Sequence, residues 1–314
     1  MAVATTFTCP NYSGMLYTKS NRSTPFLNSI GAAVISRSVE FPVNQEYSLG
    51  SAAQPAISET ASLTAPTPAT VTRSQAYNVC QIFHEAVGTS YAHASNMGYM
   101  SGLNRAGQEP DPQDELDWQI AKAMEKIAAN INYTFLNGAY NRAANDGQIN
   151  KTRGIIAAVA TNKVYAATAH TLSKAILRNL FKAVFDSNGI VDGTVLFMNA
   201  ATKIALTALY EDSTSAFILP NSRTVGGANI TQLVTDFGTV GVAVDRMMPD
   251  ENILLANVDV CRPVEMLVPY KGNFFYEELA KTGAGTTGQI FGQIGLDYGP
   301  EWFHGLLDFS KTSA

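Results

Sequence analysis

The chain has 314 residues, a net charge of −5, and 15% charged residues against 46% hydrophobic ones. The acidic balance and the lack of any basic run exclude phosphate neutralisation of nucleic acid as a primary activity. The wide spacing of Cys9, Cys80 and Cys261 excludes a zinc knuckle or a disulfide framework.

Residues 1–75 hold six of the thirteen prolines, and Ser51–Thr72 has no aromatic residue and one charge, Glu59. Such a stretch cannot bury enough apolar area to offset backbone ordering at about 1–2 kcal/mol per residue. The pattern predicts an extended arm over 1–30 and a projecting flap over 31–75. The flap is read as two weak strands, Ala33–Phe41 and Ala69–Val79, around a Pro/Ser/Ala tip. What holds the segment lies outside it, in the rest of the domain or in neighbouring copies. A charged fraction well below the usual quarter agrees with a surface hidden in contacts.

A long helix is predicted next. Asp111-Pro112-Gln113-Asp114 is a start signal, with a capping Asp and Pro at the first helical position. Leu116, Ile120, Met124, Ile127, Ile131 and Phe135 then mark one apolar face, and Asn137-Gly138 supplies the stop. At 1.5 Å per residue this is a spine of about 37 Å. A second helix is read over Thr171–Asp186, ended by Asn188-Gly189. A strand over Thr194–Met198 follows, and Asn199 caps a helix over Ala200–Tyr210. After Ala216 the period changes to two. The predicted strands are Ile230–Asp236, Val240–Arg246, Ile253–Val258, Val264–Val268, Gln289–Asp297 and Trp302–Phe309. Helices followed largely by strands define an α+β chain.

Sites for chemistry are sparse. Gly283-Ala-Gly285-Thr-Thr-Gly288 matches the dinucleotide fingerprint, but a period-two strand follows the glycines where a helix is required, so the run reads as a turn between strands. His84, His93, His170 and His304 are scattered and lack metal-ligand spacing. In Asp114/Glu115 and Glu277/Glu278 adjacent carboxylates point to different sides of their element, so neither pair converges on one atom. No cofactor or metal is expected. No window is apolar for long enough to span a bilayer, and the N-terminus lacks the order of a secretory signal.

Several stretches carry a family likeness. They are Thr24-Pro-Phe-Leu-Asn-Ser-Ile-Gly31, Arg73 with Asn78–Phe83, Asp114–Lys126 with Leu136-Asn-Gly138, Thr152–Ile156, Leu279–Gly283, Gln289–Leu296 and His304–Leu307. In this order the chain resembles tailed-phage major capsid proteins, in particular the group typified by that of phage SU-ten. The resemblance implies the Hong Kong-type capsid fold: an arm (1–30), an extended loop (31–75), a peripheral domain (76–156, spine helix 112–137), an axial domain (157–263) and closing peripheral strands (264–314). It implies a structural protein, not an enzyme. Its copies would form hexamers and pentamers of an icosahedral shell around double-stranded DNA, in a virion assembled in the host cytoplasm. Cement, portal and scaffolding proteins are the expected partners, with scaffolding separate or absent. Sparse anchors in the coreless segment point to Phe26, Phe41 and Tyr47 as inter-subunit contacts, with Arg22 and Arg37 as polar partners. Two alternatives stay open: an encapsulin-like nanocompartment shell, and a cytoplasmic nucleotide-dependent enzyme using Gly283–Gly288.

Overall fold

The computed structural model describes residues 24–47, 54–65, 70–71, 73–95, 115–166, 168–211, 223–224, 227–228 and 231–312. Helix α1 (Pro25–Ser29) leads to strand β1 (Val34–Ser36) and to a hairpin of β2 (Glu40–Tyr47) and β3 (Arg73–Val79), with the one-turn helix α2 (Glu59–Ser62) between its strands. Strand β4 (Gln81–Ser90), helix α3 (Tyr91–Ser95), the long helix α4 (Glu115–Asn137) and α5 (Ile155–Ala158) follow. Next come β5 (Lys163–Ala166), α6 (Lys174–Asp186), β6 (Val195–Met198) and α7 (Ala200–Glu211). The remainder is β: β7 (Arg223–Thr224), β8 (Gly227–Ala228), β9 (Gln232–Thr235), β10 (Gly238–Val244), β11 (Asn252–Ala256), β12 (Arg262–Met266), β13 (Phe275–Glu278), β14 (Gly285–Asp297) and β15 (Gly305–Thr312).

Helix α4 behaves as its periodicity dictates. Ile120, Met124, Ile127, Ile131 and Phe135 are all buried, and Leu116 packs at the edge of the same core. The start signal at 111–114 lies outside the described residues. At the other end the Gly138 N–H donates to the Thr134 carbonyl at 2.8 Å. A Cβ on Gly138 would sit 2.5 Å from both the Thr134 and Thr152 carbonyl oxygens, so only glycine lets 152–154 cross the helix end this closely.

The helix packs on a sheet of order β1–β12–β14–β13, with β4 antiparallel to β14 from Gln81↔Ile294 to Ser90↔Gly285. Alternation puts Phe83 and Val87 of β4 and Ile290 and Ile294 of β14 into the core under α4. A second sheet runs β5–β15–β11–β6–β10–β9. One face takes the apolar stripe of α6, where Ile176, Leu177, Leu180, Phe181 and Val184 meet Leu196, Met198, Val240 and Leu255. The other face sends Phe197, Leu254 and Leu306 into the same core as α4 and α1. The caps read from sequence are in place: the Thr202 N–H donates to Asn199 Oδ1 at 2.8 Å, and the Gly189 N–H closes α6 onto the Val184 carbonyl at 2.9 Å after Asn188 turns left-handed at φ 61°.

Some expectations are corrected. The arm does not stay extended to residue 30, because Pro25–Ser29 coils into α1. The flap strand begins at Glu40 rather than Ala33: the Gly31 N–H is held by the Cys261 carbonyl at 3.1 Å, and Val34–Ser36 pairs in parallel with β12 instead. Strands β5 and β13, four residues each, are too short to show a period. Trp302 lies in a 3-10 turn (Glu301–Phe303), so the last strand starts at Gly305. That strand joins β11 and β5 in the second sheet, so segment 264–314 is shared between the two sheets. The run Gly283–Gly288 is the end of a hairpin connection and the start of β14, whose Gly285–Gly288 pair with β4: β13 and β14 pair antiparallel, and the Leu279 N–H donates to the Thr287 carbonyl at 2.8 Å. No helix start stands there to hold a phosphate, and the nucleotide reading falls.

The crossing at the end of α4 yields a prediction. A Cβ on Gly154 would lie 2.5 Å from the Gly138 nitrogen and 2.7 Å from the Leu136 oxygen. Gly154→Ala is expected to cost about 1–3 kcal/mol in denaturant unfolding. Gly147→Ala, whose Cβ meets only Asn145 Oδ1 at 3.5 Å, is the near-neutral control.

Candidate subunit-contact surfaces

The arm enters through α1, which is wedged between α4 and the second sheet. Phe26 and Leu27 are completely buried, and the Phe26 ring meets Phe197 edge-on at 5.3 Å. Five residues are too few for a stable helix alone, so side chains from elsewhere hold its backbone. The Leu27 N–H donates to Asn132 Oδ1 at 2.9 Å. Asn132 Nδ2 donates to Asp245 Oδ2 at 2.8 Å, and the Phe26 N–H reaches the same oxygen at 3.4 Å. The other carboxylate oxygen accepts from the Met247 N–H at 2.8 Å. Asn132 and Asp245 are both fully buried.

The flap has a tight root and an open end. At the root, Phe41 and Asn78 face each other across the hairpin. Phe41 packs with Cys80 and Val264, and a Cβ on Gly295 would come within 2.8 Å of its ring. Asn78 is fully buried with every polar group engaged. Its Nδ2 donates to the carbonyls of Arg153 at 3.1 Å and Leu296 at 2.7 Å. Its Oδ1 accepts from the Arg153 N–H at 2.8 Å and the Val79 N–H at 2.9 Å. Burial pushes the Cys80 thiol up to about 12, so it is a packing group. Arg142 adds an ion pair to Glu40 at 3.0 Å. Beyond the root nothing covers the chain among the described residues. Residues 54–65 are all exposed, as is Val71, and Tyr77 is 44% exposed.

The five contact residues expected from sequence therefore separate. Phe26 and Phe41 are corrected: their surface is spent inside their own chain, one under α4 and the other against β12 and Gly295. Arg37 is exposed at the foot of the flap. Tyr47 ends β2, opposite Arg73. Arg22 lies outside the described residues. Sequence reasoning missed Asn78, Asn132 and Asp245. The one signal for Asn132 was a polar residue beside Ile131 on the buried face of a strongly periodic helix.

A buried His304 sits where two of the crossings between the sheets pass, β11 to β12 and β14 to β15. The Asn257 N–H can only donate, so Nδ1 accepts from it at 3.2 Å; Nε2 then carries the proton and donates to the Tyr298 carbonyl at 2.6 Å. Burial lowers its pKa to about 4, against the opposing effects of the hydrogen bond it donates to the Tyr298 carbonyl and of the nearby charge of Glu301. Cys261 Sγ is 4.0 Å from Nε2. Burial, with Asp297 adding to it, raises that thiol far above its ordinary range. Both shifts oppose a thiolate–imidazolium pair, so this contact is not a nucleophile. Among the described residues no group of three or more His, Cys, Asp or Glu could hold a metal ion.

Solved structures show that rigid roots carrying an uncovered flap over a long helix are here arranged in the Hong Kong-type capsid fold. The capsid of cyanophage A-1(L) is similar at a TM-score of 0.63 and 11% identity, over 94% of this chain and 95% of that one. The capsid of a native GTA particle follows at 0.58 and 15%, covering 93% and 92%. The holo-SrpI encapsulin of Synechococcus elongatus PCC 7942 stands at 0.58 and 9%, covering 95% and 92%. No curated protein matches the sequence. The SU10 major capsid protein family matches residues 1–311, and the chain belongs to that family. It is a bacteriophage capsid protein that forms an icosahedral shell.

Two outcomes follow. Asn132→Ala removes the acceptor for Leu27 and a donor to Asp245, with an expected cost of about 3 kcal/mol; limited proteolysis should cut at the arm root sooner than in the parent. For His304, the folded pKa near 4 lies below the ordinary 6.5. The unfolded chain takes up the proton first, so stability is full above that ordinary value and falls as the pH drops towards 4. The loss is about 3 kcal/mol, and unfolding curves of His304→Asn should be flatter across this window.

Proposed function

We propose that copies of this chain close into hexamers and pentamers, and that these rings tile the shell around double-stranded DNA. The observation that carries the reading is the flap: a lever fixed at its root by Asn78 and Phe41, whose outer residues 54–65 have no partner within the described chain. A segment of that kind finds its folding partner on the next subunit, and many modest contacts add up around a ring. Arg37 and Tyr47 contribute from the flap and Arg22 from the arm. In this reading 1–30 is the arm, 31–75 the extended loop, 157–263 the axial domain, and 76–156 with 264–314 the peripheral domain. The chain works by geometry rather than catalysis. A net charge of −5 suits a wall that encloses DNA without gripping its sequence. Portal, cement and scaffolding proteins are its partners in this reading, and the particle is assembled in the host cytoplasm.

An encapsulin-like compartment is the second reading, favoured by the likeness to the SrpI encapsulin. Particle contents decide between the two. Electron microscopy of purified particles, with nuclease treatment of their contents, is expected to give shells holding protected double-stranded DNA. A protein cargo in its place, or small discrete particles, overturns the proposal. Replacing residues 54–65 by a Gly-Ser linker should leave the unfolding temperature of the subunit unchanged and abolish closed shells in micrographs.

A further inference from the structure

Helix α6 carries a row of cations that its packing does not use. Lys174, Arg178 and Lys182 recur at every fourth residue. They stand about 6 Å apart along the axis and span about 12 Å. Each step of four residues turns the helix by only about 40°, so the three share one flank. The apolar stripe of α6, from Ile176 to Val184, is turned away onto the second sheet. Arg178 and Lys182 are exposed and Lys174 is half-buried. In the sequence three neutral residues follow each of the first two cations, so no basic run marks the row.

The subunit does little to neutralise this row. Among the described residues no carboxylate pairs with Lys174 or Arg178. Lys174 lies over the Tyr210 ring at 5.2 Å, which steadies one end of the row and leaves its charge in place. Lys182 pairs with Asp186, the one acid of the helix. Both partners are more than half exposed, so the pair is weak and a phosphate can replace it. Ahead of the helix, His170 and Glu251 are taken up by each other at 2.7 Å. Three cations less one acid give α6 a charge of +2, in a chain of −5. No other described helix is positive: α4 has two lysines against three acids, and α7 has Lys203 against Glu211. A duplex presents one phosphate per 3.4 Å of axis on each strand, so about 12 Å of it offers three or four in line with such a row.

Resting on the shell reading above, we infer that this flank of α6 faces the inside of the shell and holds the sugar–phosphate backbone of the enclosed duplex through Lys174, Arg178 and Lys182. Such contacts position DNA without reading its sequence. Three per subunit hold a duplex weakly, and the contact gains weight by repetition around the wall. The test places a photoreactive side chain beside the row and leaves its cations intact: Asn179→benzoylphenylalanine, at an exposed position next to Arg178. Filled shells are irradiated and denatured, and covalent protein–DNA adduct is measured on gels with and without nuclease. A nuclease-sensitive adduct is expected. Its yield should fall at least threefold when Lys174→Gln, Arg178→Gln and Lys182→Gln are added together, and should be kept with Arg178→Lys alone. Should the triple variant fail to assemble by itself, dilution into parent chains carries it into shells, and the same fall is required there. Filled shells without adduct, a yield that ignores the charges, or an adduct to an acidic protein in place of DNA overturn the inference and leave the shell reading standing. Parent shells that hold no DNA overturn that reading instead.

Discussion

Asp245 is a carboxylate with no exposure to water, and three elements meet because of it. A buried charge is costly unless donors surround it. Here those donors come from α1, from α4 and from the turn after β10, so the carboxylate is satisfied only when all three are docked. Phe26 then has one place to go, edge-on to Phe197 in the core that both sheets share. The arm is thus fixed at its root by contacts within its own chain.

The flap divides in the same way. Its foot is a polar wedge: Asn78 ties the hairpin to the chain at Arg153 and to the end of β14 through three hydrogen bonds, and a fourth from the Val79 N–H holds its amide in place. Its outer part has backbone pairing and little else. Stability is therefore uneven by design, with the stiff half setting direction and the coreless half waiting for a surface to complete it.

Much of this was legible in the sequence. A run of prolines and small residues announced a segment without a core, and the spacing from Leu116 to Phe135 announced the spine, because long periodic helices and missing cores are local properties. The division of labour inside the coreless segment was not legible. Phe26 and Phe41 read as anchors for a neighbour because they are the large apolar residues there; in fact each is a root, held by residues more than a hundred positions away. Asn78 and Asp245 gave no signal, since a buried amide or carboxylate looks in sequence like any surface one until its partners are known. Strand β15 was found nearly in place, yet its sheet was not, because pairing with β5 and β11 is a matter of topology that alternation does not encode.

The near absence of charge on the outer flap has a thermal consequence. A contact built from Ile57, Leu63 and small residues draws its strength from water released off apolar surface, which weakens as water is cooled. Added salt, which screens ion pairs, finds only Glu59 to act on. On the reading proposed above, the flap's own share of the shell's cohesion is weakest in the cold and changes little with ionic strength.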